Sequence, residues 1–244
     1  MATYNLRRFA HADGLKAIAR EHLLALLEPY KSYFDGRGLT LPPPSTSDEL
    51  NYEQLVGVLM NPDTDTPKGL LDALYFVHEM ATPECMDVLL NEAEANGISL
   101  DGNPDPTPAD VAVQVYLKDR NLLERKHAEQ YLTKPRSFEY FQTEARPIPK
   151  FKPPTPRILT ALAQDLDDWF EKKKRGRGSR VFVYPKRDAI WFLVRHGDPL
   201  RREGSLNGGQ TSSVFYRPEK YDVLVYEPTI GEIRMNACSK GEKD

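Results

Sequence analysis

Two cysteines and five histidines are all that the 244 residues offer as thiolate and imidazole ligands. Cys85 and Cys238 are far apart in sequence and too few for a disulfide scaffold, which points to a reducing compartment. Long hydrophobic runs are missing as well. No stretch reaches the roughly 18 consecutive apolar residues of a membrane helix, and the first residues lack the apolar centre of a secretory signal. These absences lead to the expectation of a cytoplasmic chain with no membrane partner.

What is present suits a globular chain. Hydrophobic residues make up 40% and charged residues 28%, with a mean hydropathy of -0.57, and the length allows either one large domain or two ordinary ones. The net charge of -3 conceals a partition. Between 61 and 110, eleven acidic side chains stand against the single Lys68, whereas between 171 and 188 eight basic side chains accompany two acidic ones. Segregation of this kind bears on partners, not on fold.

Thr precedes Pro at the head of an apolar-periodic run four times, at Thr66-Pro67, Thr82-Pro83, Thr107-Pro108 and Thr155-Pro156. Thr accepts a bond from an unpaired N–H at a helix start, and Pro in the first turn sacrifices an N–H that has no partner anyway. The pattern predicts four helix starts. With apolar-periodic stretches at 14–30, 49–61 and 121–131, residues 1–135 read as a helical array or bundle. A proline-rich stretch makes 136–155 a linker. Beyond it, 156–174 is amphipathic, and the β-branched and aromatic runs 180–184, 189–195, 213–216, 221–226 and 232–235 predict antiparallel strands. The expected class is α+β, a helical N-terminal array or bundle followed by a small antiparallel β-rich region, 156–244, packed on a helix.

Several short stretches imitate catalytic signatures. Leu193-Val194-Arg195-His196-Gly197 resembles the strand-end motif of the histidine phosphatases, in which the histidine takes the phosphoryl group. That chemistry needs a proton donor for the leaving group and a clamp for the oxygens, and no histidine follows position 196. His196 therefore reads as a strand-ending residue. Asp222 with Glu232-Ile233-Arg234 resembles the Asp…Glu-x-Lys core of restriction-endonuclease-like nucleases, but Arg234 stands where a lysine would support the attacking water. His78-Glu79 begins a zinc-helix pattern that fails at Thr82. The glycine-rich 204–210 lacks the lysine and the following helix of a phosphate loop, and reads as a hairpin loop. No catalytic residue, metal or cofactor is expected.

The basic segment differs in kind. Lys172, Lys173, Lys174, Arg175, Arg177 and Arg180 surround two glycines, and Tyr184, Lys186 and Arg187 follow closely. Cations displace counterions from a phosphate backbone, and aromatic rings stack on unpaired bases. The expectation is an accessory, non-catalytic protein that binds DNA or RNA through these nine residues. Two alternatives remain: an interaction adaptor, in which the acidic helices take a partner or the basic turn meets an acidic protein surface, and a metal-dependent nuclease built on Asp222 and Glu232.

Overall fold

The computed structural model describes residues 6–44, 49–144, 147–148 and 150–237, the side chain at 207 excepted. Cys238 and the stretch 240–244 lie outside the described residues. The chain is α+β and divides into two compact units, 1–127 and 128–244.

The first unit contains α1 (Ala12–Lys16), α2 (Arg20–Leu27), α3 (Lys31–Gly36), α4 (Tyr52–Met60), α5 (Lys68–Met80), α6 (Pro83–Ala95) and α7 (Pro108–Lys118), and the division falls within α8 (Arg120–Glu129). Their apolar stripes meet in one core that includes Leu23, Leu27, Phe34, Leu55, Leu70, Leu74, Val77, Leu89 and Val115. The continuous helix expected over 14–30 is broken. Ala19 is extended, and its N–H is taken by the Asp110 carboxylate at 2.8 Å, so a new helix begins at Arg20.

Three of the four Thr-Pro starts are capped by the threonine. Thr82, Thr107 and Thr155 accept from the N–H groups of Cys85, Asp110 and Ile158. At the fourth, the Thr66 hydroxyl is drawn into the preceding loop by Asp63 and Tyr33, and Pro67 precedes α5 without capping it. Local competition for a short hydroxyl decides the difference.

The second unit is built on a five-stranded antiparallel sheet. Its strands are β1 (Glu139–Gln142), β2 (Arg180–Pro185), β3 (Ile190–Gly197), β6 (Glu219–Glu227) and β7 (Glu232–Asn236), in the order β1-β7-β6-β3-β2. A separate two-stranded ribbon, β4 (Arg201–Asn207) with β5 (Gln210–Tyr216), rises between β3 and β6. Strand alternation gives the sheet two apolar faces. Phe182, Tyr184, Leu193, Val223 and Val225 pack with Ala128, Leu132 and Phe138 on one. Val181, Val194, Phe192 and Leu224 lie beneath Phe170 of α9 (Pro156–Lys172) on the other.

Two segments were not anticipated as strands. β1 lies in the stretch that reads as a linker and pairs with β7, and β4 lies in the stretch that reads as a glycine loop. Both depend on a partner distant or polar enough to leave little local signal.

Candidate nucleic-acid interface

At the end of α9 the chain turns through Lys174, Gly176 and Gly178, all in the left-handed region, before entering β2. Asp167 clamps this turn by accepting from the N–H groups of Gly178 at 2.9 Å and Ser179 at 2.7 Å. Burial alone would raise its carboxyl. The two N–H donors and the nearby Arg177 outweigh that and hold it below the usual carboxylate range. Gly197 lets the turn approach β3, since a Cβ there would sit 2.5 Å from the Arg175 carbonyl. The base of the ribbon is tied in by Arg217, which donates to the Lys174 carbonyl at 2.6 Å.

Of the residues singled out from sequence, Lys172, Lys173 and Lys174 are exposed on this turn. The Lys173 ammonium lies 5.5 Å from the Trp169 ring centroid, the Arg175 guanidinium 6.0 Å from Phe170 and that of Arg180 4.9 Å from Phe182. Arg177 is held by Asp168 at 2.7 Å and Glu171 at 2.9 Å. These six residues share one end of the sheet.

The remaining three do not. Lys186 and Arg187 follow the far end of β2, roughly 20 Å away at the ordinary rise per residue of a strand, and Lys186 is paired with Glu129. Tyr184 is only 4% exposed and packs in the core beneath the sheet, so its ring is closed to a base. Its role as a stacking platform is withdrawn for that reason.

The ribbon supplies what the sequence reading missed. Arg202 lies opposite Phe215, and the face they share continues through Gly204, Ser213, Leu206 and Thr211 without a carboxylate. Phe215 is 62% exposed. The other face carries Arg201, paired with Asp198 at 2.7 Å, and Tyr216, whose hydroxyl donates to Glu203 at 2.7 Å. Arg195 and Lys220 on β3 and β6, Arg201 and Arg202 at the start of β4, and Arg217 in the link between β5 and β6 thus join the turn. One signal was available: Gly208-Gly209 suits the positive φ that both residues adopt in the two-residue hairpin turn.

The imitated catalytic motifs do not assemble. His196 has no exposed side-chain surface and stacks on Phe170, with ring centroids 4.2 Å apart. Its Nε2 is 3.1 Å from the Asp222 carboxylate and its Nδ1 is 2.9 Å from the Gly197 carbonyl. It is a packed, bonded residue, closed to a phosphoryl group. Asp222 lies beside Val194 in the middle of the sheet, whereas Glu232 pairs with Glu227 at the other end of the β6–β7 hairpin. Five residues of strand, about 17 Å, separate them, too far to share one metal ion. Among the described residues no cluster of His, Cys, Asp and Glu could hold a metal.

Part of the acidic charge of the middle helices is used inside their own unit. Asp63 pairs with Arg37, Glu92 with Lys126, and Asp101 and Asp110 with His22. Among the described residues no helix is long and apolar enough to cross a membrane. Compared with models of protein families, with curated proteins and with solved structures, the chain matches none.

Proposed function

We propose that the chain is a cytoplasmic, non-catalytic accessory protein that binds nucleic acid at the end of the sheet where the basic turn and the ribbon meet. The observation that carries this reading is the Arg202–Phe215 pair. It is a cation beside an exposed ring, on a ribbon face free of carboxylates, and the base of that ribbon is tied to the lysine turn by Arg217, which donates to the Lys174 carbonyl. A two-stranded ribbon is narrow enough for a duplex groove, and an Arg–aromatic pair also suits an unpaired base. Phosphates would be met by the lysines.

Fluorescence anisotropy against single-stranded DNA, duplex DNA and RNA at two salt concentrations tests this. Binding is expected at low salt and weakens as salt rises. Neutralising Lys172, Lys173 and Lys174 together lowers the salt slope by up to about three, near 0.9 per phosphate contact on a duplex. Phe215→Ala weakens single-strand binding, whereas Lys186→Ala, at the far end of β2, leaves it unchanged. Absence of binding at low salt, or indifference to the triple substitution, would refute the proposal.

A further inference from the structure

A second site lies between α9 and the sheet. The helix is strongly amphipathic, with Ile158, Leu159, Leu162, Leu166, Trp169 and Phe170 on its apolar stripe, yet only Phe170 is fully buried. Phe170 packs over Val181 and Val194, with Leu159, Leu166 and Trp169 partly buried against the same cluster. Two positions of the stripe are exposed, Leu162 at 40% and Ile158 at 55%.

Between helix and sheet lies a groove of about 560 Å³, within the range of about 300–1,000 Å³ usual for small-molecule sites. Leu162, Leu166 and Trp169 form one wall, and Phe192, Leu224 and Met235 the other. Among the described residues two ionisable side chains line it, Asp165 and Asp222, with no Lys, Arg or His.

The two carboxylates are not equivalent. Asp222 is only 5% exposed, and His196 Nε2 lies 3.1 Å from its carboxylate. Asp165 is exposed on α9 and has no ion-pair partner among the described residues. Negative charge at the rim of an aromatic and aliphatic groove favours a cation, which the ring of Phe192 can also attract; the Trp169 ring already has the Lys173 ammonium 5.5 Å from its centroid.

We infer that this groove binds apolar amines, with the hydrocarbon or aromatic body between α9 and the sheet and the ammonium group at Asp165.

Isothermal titration calorimetry of the full chain with 1-naphthylmethylamine, 1-naphthylmethanol and 1-naphthoate tests the inference. The amine is expected to bind more tightly than the alcohol and about tenfold more tightly than the carboxylate. Asp165→Asn removes the advantage of the amine over the alcohol, a loss of about three- to fivefold, since the carboxylate is exposed and solvent screens it. Leu162→Arg, at a half-exposed position that tolerates a long side chain, abolishes binding of the amine while the circular dichroism stays that of the parent. Equal affinity for amine and carboxylate, an amine affinity unchanged in Asp165→Asn, or no binding of any probe to the folded chain would overturn it.

Discussion

His22 stands between two carboxylates, with Nδ1 2.8 Å from Asp110 and Nε2 2.6 Å from Asp101. An imidazole that donates from both nitrogens is protonated. Burial alone would lower its pKa, but the bonds to Asp110 and Asp101 outweigh burial and raise it above the ordinary 6.5. The sign of the pH dependence follows. Below the unfolded value the ring is protonated in both states and the stabilisation is complete; as pH climbs through the raised folded value the stabilisation is lost. Urea unfolding across that window should show stability falling with pH in the parent and a flatter profile in His22→Gln. His22→Ala should cost about 2–3 kcal/mol, because the buried Asp110 loses a charged partner and is left, among the described residues, with the Ala19 N–H and Gln114. A loss below 0.5 kcal/mol would contradict this account.

Helix and hairpin ends account for much of how the elements begin and stop. Thr82 caps α6 and Thr66 does not cap α5, so the two substitutions separate by mechanism. Thr82→Ala should destabilise by about 1 kcal/mol through the lost cap, measurable as a lower urea midpoint with an unchanged slope. In Thr66→Ala the effect falls on the 63–66 loop instead. The turn between β6 and β7 offers a sharper case. Gly231 has a φ of +68°, and a Cβ there would lie 2.5 Å from the Thr143 side chain, which follows β1. Gly231→Ala combines left-handed strain, about 1–2 kcal/mol, with displacement of that segment. Amide exchange should quicken first at 139–143, where Thr143 donates to the Gly231 carbonyl. Unchanged protection of 139–143 would place the strain elsewhere.

At the scale of the whole chain, the unit that carries both proposed sites begins before the proline-rich stretch. Ala128 and Leu132 are part of the core beneath the sheet, packed with Phe182 and Leu193. A fragment 136–244 lacks them and exposes that face, whereas 120–244 retains them. The longer fragment is expected to give a dispersed two-dimensional NMR spectrum and a cooperative melt, and the shorter one to aggregate or melt without cooperativity. Two fragments of equal stability would show that this cover is dispensable.

Local chemistry made much of this molecule legible from its residues alone. Three capped Thr-Pro starts, the amphipathic stripe of α9, the β-branched and aromatic strands and the partition of charge depend on neighbours within a few positions. Non-local pairing decided the rest. Antiparallel register set Asp222 and Glu232 at opposite ends of a hairpin, and it carried Lys186 and Arg187 a strand-length from the turn whose charge they seemed to share. Strand alternation placed Tyr184 on the buried face and Phe215 on the open one, although both are aromatic residues in short strands. Pattern and composition determined which elements form and where the charge lies. Only the tertiary structure decided which side chains share an end or a face, because that depends on the partner strand and not on the residues beside them.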